Sequence, residues 1–86
     1  MVPRAHIGEI LLYTLSKYDC DRYQAHLAKL GLQANDHEPG QVVPFLPTKI
    51  WSEICCNGQA LMDGPLPLWI TSAQEGTGPG TYQLYA

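Results

Sequence analysis

The clearest strand signal in the chain is Leu-Pro-Leu-Trp-Ile-Thr-Ser-Ala, residues 66–73. Side chains alternate along this segment with the period of two that is typical of a half-buried strand. Its predicted faces are Leu66, Leu68 and Ile70 on one side and Trp69, Thr71 and Ala73 on the other. Residues 75–80 contain three glycines and a proline, a composition that indicates a turn. Residues 81–86 then form a short closing strand, so the C-terminal part of the chain is predicted to be β.

Two further strands are predicted upstream. Residues 41–52 are rich in β-forming residues, and residues 54–62 make a second run before an Asp-Gly-Pro turn at 63–65. Pro44 and Pro47 each lack a backbone N–H and cannot donate to a neighbouring strand. We therefore expect the strand over 41–52 to lie at an edge of the sheet or to be bent.

A helix is predicted between these strands and a first strand within residues 6–15. Ser16 lies three residues before Asp19, a spacing that favours the start of a helix. Gly31 supplies the usual helix end. The apolar residues that recur at three- and four-residue steps are Tyr23, Leu27 and Leu30. The pattern predicts one helix over about 18–30.

Together these elements predict an α+β fold that is mostly β. We expect a small, strongly bent antiparallel sheet or an SH3-like barrel of about five strands, with one helix at about 18–30. One helix cannot cover both faces of a parallel sheet, so a doubly wound fold is excluded. With 86 residues, the chain is expected to form a single domain over 1–86.

The composition argues against several classes of partner. The net charge is −3, which disfavours binding to a nucleic acid because contact with phosphates needs a basic surface. No apolar run is long enough to span a bilayer, so we expect no membrane partner. The adjacent pair Cys55-Cys56 and the lone Cys20 make a poor disulfide framework, which indicates reduced thiols in a cytoplasm. Because so small a chain buries little of its own surface, we expect a homo-oligomer.

No residue pattern indicates catalysis, a metal or a cofactor. The histidines and cysteines lack the spacing of a zinc site, and Cys55 and Cys56 would point to opposite faces of a strand. A catalytic cysteine would need a base such as His37 and an oxyanion site, which so short a chain rarely supplies together. We therefore predict that the protein is not an enzyme, holds no metal and uses no cofactor.

The aromatic residues and the glycine-rich turn give the strongest indications of binding. Tryptophan and tyrosine on strands either fill a thin core or offer contact area to a partner, and for the two tryptophans the pattern leaves both readings open. Backbone amides of the glycine-rich turn could face a small anion. The candidate ligand-binding residues are Arg4, Trp69, Thr71, Ser72, Gly78 and Tyr82. The candidate partner-binding residues, on an exposed strand, are Phe45, Lys49 and Trp51.

Parts of the sequence resemble a family of small phage and prophage proteins. The resemblance lies in residues 57–64, in the Leu-Trp-Ile-Thr-Ser strand at 68–72, and in the glycine-rich turn and aromatic residue at 75–82. The opening strand and its Leu-Ser step at 8–16 are also similar, so that about half of the chain is covered. At 65–67 this chain has Pro-Leu-Pro in place of a polar hairpin tip, which puts any shared function of that hairpin in doubt.

What the resemblance implies is a phage origin, a compact barrel-like β domain and action in the cytoplasm of an infected bacterial host. Small phage proteins of this kind commonly act by binding a host protein or a small signalling molecule and thereby blocking it. We predict a non-enzymatic protein that counters host antiviral defence by sequestering a nucleotide-like signalling molecule in an oligomer. In this hypothesis Trp69 or Trp51 stacks on the base and Arg4 neutralises phosphate. The alternatives are a protein-binding inhibitor of a host enzyme or defence complex, and a minor virion or assembly component.

Overall fold

A computed structural model describes residues 5–84 as a closed barrel of five strands in chain order, with one helix. The elements are β1 (Leu11–Thr14), α1 (Lys17–Leu30), β2 (Val42–Ser52), β3 (Cys55–Ala60), β4 (Leu68–Glu75) and β5 (Thr81–Gln83). The predicted α+β, mostly β fold is confirmed. Within the described residues, no helix is both long enough and apolar enough to cross a membrane.

Strand pairing is antiparallel from β1 through β4, and β5 pairs antiparallel with β1. The barrel closes through a parallel ladder of β4 and β5, in which Gln74 lies opposite Thr81 and Glu75 opposite Tyr82. The sheet is therefore mixed, a detail that side-chain alternation does not predict. The parallel contact is short, so β4 has a strand partner on this side only at its C-terminal end.

The long strand β2 is bent and lies inside the sheet. Its first half pairs with β1, and from Phe45 onward it pairs with β3, so the expectation of an edge position is wrong. The expected bend is present, because the β2–β3 register shifts between Pro47 and Lys49 and again between Ile50 and Ser52. Such irregularities increase the local twist, which lets a small sheet close on itself.

Helix α1 begins and ends as its sequence predicts. The Ser16 hydroxyl accepts from the backbone N–H of Asp19, and the Asp19 carboxylate accepts from the N–H of Ser16. Gly31 ends the helix in the left-handed conformation, with φ of 71°. Tyr23 and Leu27 are buried, whereas Leu30, which the pattern placed on the same face, is exposed. The Leu30 side chain in the last turn of the helix therefore does not join the core.

The core of the barrel is built around a row of three aromatic rings. The Phe45 ring stacks between Tyr13, at a centroid distance of 5.3 Å, and Tyr82, at 5.9 Å. All three side chains are buried. Gly58 on β3 leaves room for the central ring, since a Cβ built there would lie 2.5 Å from Cζ of Phe45 and 2.6 Å from the carbonyl oxygen of Leu46.

We expect Gly58→Ala to destabilise the protein. The added methyl group would press on the Phe45 ring and on rigid backbone, and overpacking of this kind costs about 1–3 kcal/mol. Gly78→Ala is the matched control, because nothing lies within 4 Å of a Cβ built at Gly78. Urea unfolding should show a lowered free energy for Gly58→Ala and a change within about 0.5 kcal/mol for Gly78→Ala. Equal free energies for the two variants would contradict the close approach at Gly58.

We also expect stability to fall at alkaline pH. Burial, followed by the neighbouring Cys56, raises the pKa of Tyr82 to about 12. Burial also raises the pKa of Cys56 to about 11. Folding therefore favours the protonated forms of Tyr82 and Cys56. Their contribution to the free energy of unfolding is fully present at pH values below the ordinary pKa values that these groups have in the unfolded chain. It is lost as pH rises from about 9 toward 12, by at most about 1.4 kcal/mol per pH unit and group.

Urea unfolding at a series of pH values above about 8 tests this dependence. Tyr82→Phe should lessen the alkaline fall in the free energy of unfolding, because one buried acid is removed. Tyr18→Phe, on an exposed ring, should leave the fall unchanged. A wild-type free energy of unfolding that stays constant over the alkaline range in which Tyr82→Phe remains folded would contradict the raised pKa of Tyr82.

Candidate functional site

A groove of about 440 Å³ lies between the start of α1 and strand β4. It forms because the first residues of β4 have no strand partner on this side within residues 5–84, and the first turns of the helix stand beside them. A volume of this size is within the range of small-molecule sites. The groove is lined by Tyr13, Ser16, Tyr18, Asp19, Arg22, Trp69, Ile70, Thr71, Ser72, Ala73 and Gly80.

A buried carboxylate holds the helical side of the groove in place. Asp19 accepts hydrogen bonds from the Tyr13 hydroxyl at 2.7 Å and from the backbone N–H of Ser16 at 2.9 Å. Burial, followed by the hydrogen bond to Asp19, raises the pKa of Tyr13 well above its usual range, so this hydroxyl keeps its proton. The contacts of Asp19 thus join the start of α1 to β1, and the carboxylate occupies the position where a helix favours negative charge.

Arg22 supplies the positive charge of the groove. One guanidinium Nη2 donates to the carbonyl oxygen of Trp69 at 2.8 Å, and the group lies 5.7 Å from the centre of the Tyr18 ring. Its Nε is buried without a hydrogen-bond partner. No carboxylate in the described part of the chain forms an ion pair with Arg22. A guanidinium is always charged, so Arg22 is a fixed cation with donors left for an anion.

Two exposed aromatic residues line the groove together with Arg22. Tyr18 belongs to the first turn of α1 and is 71% exposed, and Trp69 belongs to β4 and is 53% exposed. Exposed rings beside an arginine are a surface on which a planar ligand can stack. The arrangement pairs stacking area with a cation at one end of the groove.

A bulge in β4 directs two hydroxyl-bearing residues into the groove. One residue of β3, Asn57, lies opposite the pair Thr71 and Ser72, between the registered pairs Cys56–Ala73 and Gly58–Ile70. Ser72 adopts φ of 51°, a conformation that is uncommon for residues other than glycine. Strain of this kind persists where the surroundings hold it, and it is concentrated at functional sites.

Asn57 is the residue that holds the bulge. Its Oδ1 accepts from the backbone N–H of Ser72 at 2.7 Å and from the indole Nε1–H of Trp51 at 2.9 Å. The extra residue also reverses the alternation of β4, so that Ala73, predicted on the face of Trp69, is buried. Both Thr71 and Ser72 are consequently exposed to the groove, and neither hydroxyl makes a hydrogen bond within the described residues.

Three of the candidate ligand-binding residues meet in this groove: Trp69, Thr71 and Ser72. Gly78 does not line it and instead lies in the turn between β4 and β5, where its carbonyl oxygen accepts from Thr81. Gly80, two residues on, is the glycine that does line the groove. Arg4 lies outside the described residues.

Tyr82 and Phe45 require correction. Both side chains have no exposed surface, because they fill the core as stacked rings, and neither can touch a ligand or partner at the surface. Lys49 and Trp51 are exposed as predicted, with the lysine Nζ lying 5.1 Å from the centre of the indole. The structure therefore leaves two of the three candidate partner-binding residues at the surface.

Sequence reasoning missed Arg22, which is not among the candidate site residues. A signal was present, since Tyr18 and Arg22 are four residues apart and such residues are neighbours on a helix. The spacing places a cation beside an exposed ring, immediately after a helix start. What the sequence does not contain is the position of β4 opposite this pair.

Two of the three thiols, those of Cys20 and Cys56, are poorly suited to nucleophilic chemistry. Cys20 and Cys56 are buried, and burial raises the pKa of each thiol, that of Cys56 to about 11. Both therefore stay protonated near neutral pH, and the thiolate is the reactive form. Among residues 5–84, no three histidine, cysteine, aspartate or glutamate side chains come together to hold a metal ion.

Comparison with known proteins adds no further information, because no protein-family model, curated protein or solved structure matches the chain.

We expect Asn57→Ala to destabilise the bulge. The substitution leaves the N–H of Ser72 and the indole N–H of Trp51 without their acceptor, at a cost of about 1–2 kcal/mol. Gln59→Ala is the matched control, because Gln59 is also on β3 and makes no hydrogen bond through its side chain within the described residues. Urea unfolding compares the two. An unfolding free energy for Asn57→Ala no lower than that of Gln59→Ala would contradict the role of Asn57.

Proposed function

We propose that the protein is a non-enzymatic binding protein whose groove holds a small, planar, anionic ligand of the nucleotide type. The observation that carries this proposal is Arg22, a cation without an ion-pair partner in the described residues, in a groove that the exposed residues Tyr18 and Trp69 also line. A nucleotide combines a flat base with a charged phosphate, and the groove offers a partner for each.

The base would stack on an exposed ring of the groove. Trp69 has the larger π surface, and its backbone carbonyl oxygen accepts a hydrogen bond from Arg22, so the cation is held at the same residue of β4. Stacking of a base on an aromatic side chain contributes about 1–3 kcal/mol and depends little on which base is present. This supports a nucleotide in general without selecting a particular base.

The phosphate would bind Arg22. Hydrogen bonds from a guanidinium to phosphate are charge-assisted and are stronger than those between neutral groups. The hydroxyls of Thr71 and Ser72 lie in the same groove and can donate to phosphate or sugar oxygens. Asp19 also lines the groove, and because its carboxylate accepts only from the neutral donors of Tyr13 and Ser16, its negative charge offsets part of the attraction between Arg22 and an anion.

Holding a ligand without changing it is the activity that these groups support. The hydroxyl of Tyr13 and the thiol of Cys56 have raised pKa values and remain protonated, so neither is a ready base or nucleophile near neutral pH. In the setting that the family resemblance implies, a phage protein that holds a signalling nucleotide would lower its free concentration in the infected cell. Host antiviral defence that depends on the nucleotide would then be weakened.

A second candidate is the protein-binding inhibitor of a host enzyme or defence complex. Trp51 favours it, because the indole is 58% exposed and lies beside Lys49. Exposed tryptophans are common at the centres of protein interfaces. Phe45 takes no part in this surface. The third prediction, a virion component, has no supporting feature in the fold and stays a prediction.

Calorimetric titration with ADP-ribose and with a cyclic dinucleotide tests the first candidate. We expect binding of at least one of them, and we expect Arg22→Gln to weaken it about 10- to 100-fold, the effect of a lost charge-assisted bond. Lys29→Gln is the matched control, since it removes the same charge from the last turn of the same helix. It should change the affinity less than threefold or so.

Two outcomes would overturn this function. The first is that neither nucleotide binds or raises the melting temperature. The second is that Arg22→Gln and Lys29→Gln weaken binding equally, which would mean that only net charge matters. If nucleotides fail and a host protein co-purifies with the wild-type chain but is lost with Trp51→Ala, the second candidate replaces the first.

A further inference from the structure

One oxygen atom of the Asp19 carboxylate has no partner within residues 5–84. The side chain is 4% exposed, and the two hydrogen bonds that it accepts, from the Tyr13 hydroxyl and the Ser16 N–H, both end on Oδ2. No described residue donates to Oδ1. This atom keeps a small contact with solvent, unlike the Nε of Arg22, which is buried without a partner. Because Asp19 lines the groove, Oδ1 is an acceptor that a ligand in the groove can reach.

The free oxygen favours a ligand that carries a hydrogen-bond donor. Both bonds to Oδ2 come from neutral groups, so the negative charge of the carboxylate is not cancelled by a cation. A ligand that places an O–H or N–H at Oδ1 gains a charge-assisted hydrogen bond, which is stronger than one between neutral groups. An anion without such a donor gains nothing there and is repelled by the same charge. The groove therefore suits a ligand with an anionic group and a nearby donor.

The spacing of Asp19 and Arg22 limits where on the ligand this donor lies. The two residues are three apart on α1, so their side chains are neighbours on the helix surface, with Cβ atoms about 5–6 Å apart. A ligand whose phosphate binds Arg22 must therefore carry its donor close to the phosphate. In a nucleotide, the ribose joins the phosphate directly, whereas the amino group of the base lies at the far end of the molecule. The spacing thus favours a hydroxyl of the sugar.

We propose that Oδ1 of Asp19 accepts a hydrogen bond from a ribose hydroxyl of the ligand, so that the groove selects ribonucleotides over analogues that lack this hydroxyl. The inference rests on the proposed function and names the part of the ligand that is selected. An acidic side chain binds a ribose hydroxyl in the same way in dinucleotide-binding domains of a different fold. With the sugar at Asp19, the phosphate at Arg22 is also kept apart from the carboxylate.

Calorimetric titration of the wild-type protein with ADP and with 2′,3′-dideoxy-ADP tests the contact. The two ligands share the base and both phosphates and differ only in the sugar hydroxyls. We expect ADP to bind about 10- to 100-fold more tightly, the effect of one hydrogen bond to a charged group. This comparison needs no variant, so it does not depend on how a substitution at Asp19 affects folding.

Asp19→Asn tests the acceptor itself. The amide oxygen can replace Oδ2 and accept from Tyr13 and Ser16, which leaves an uncharged NH₂ group at the position of Oδ1. The preference for ADP over 2′,3′-dideoxy-ADP should then fall to near equality. The affinity for inorganic pyrophosphate should stay the same or rise, because a negative charge beside the anion is lost. A damaged groove would instead weaken binding of all three ligands.

Asp21→Asn is the matched control. Asp21 has the same charge on the same helix, but its carboxylate accepts from Lys17 at the surface and is not among the residues that line the groove. This variant should keep the wild-type preference for ADP.

Three results would overturn the inference. They are equal affinities of the wild-type protein for ADP and 2′,3′-dideoxy-ADP, no binding of ADP, and an Asp19→Asn protein that keeps the full preference. If ADP-ribose binds in an Arg22-dependent manner while the sugar hydroxyls of ADP make no difference, the proposed function stands and only the role of Asp19 is wrong.

Discussion

The buried carboxylate of Asp19 is the contact on which both the helix and the groove depend. It caps the first turn of α1 through Ser16 and binds the hydroxyl of Tyr13 in the barrel wall. Leaving a buried charge unpaired would be costly, so these two donors are needed whenever the carboxylate is in this position. With the helix start fixed against β1, Tyr18 and Arg22 of the first turns of α1 line the same groove as β4.

The groove exists because the barrel, within residues 5–84, leaves the first part of β4 without a partner strand on one side. Because β4 meets β5 only near Gln74 and Glu75, a space remains between the first part of β4 and the wall formed by β1. Arg22 donates a hydrogen bond to one backbone carbonyl oxygen in this part of β4. The bulge at Ser72 turns hydroxyls toward the same space. A longer ladder between β4 and β5 would have hidden these groups, whereas the short parallel closure leaves them available to a ligand.

Local sequence patterns are sufficient to predict the helix and the strands, but they do not predict which side of the sheet faces the core. The capping pair at Ser16 and the period of residues 66–73 predicted α1 and β4 because capping and alternation are local effects. Phe45 and Tyr82 were assigned to the surface wrongly, since aromatic residues on a strand have the same pattern whether they face the core or a partner. The bulge at Ser72 depends on Asn57 of another strand. Arg22 likewise becomes part of a candidate site only because β4, which lies far away in the sequence, packs beside it.

The most direct test of a binding site beside Arg22 is ¹H–¹⁵N NMR of the arginine Nε–H and the two tryptophan indoles during addition of ADP-ribose. The signals of Arg22 and Trp69 should move most, because both residues line the groove. Trp51 reaches the groove only through Asn57 and should move less. Movement of the Trp51 signal with that of Arg22 unchanged would place the ligand elsewhere and contradict the account.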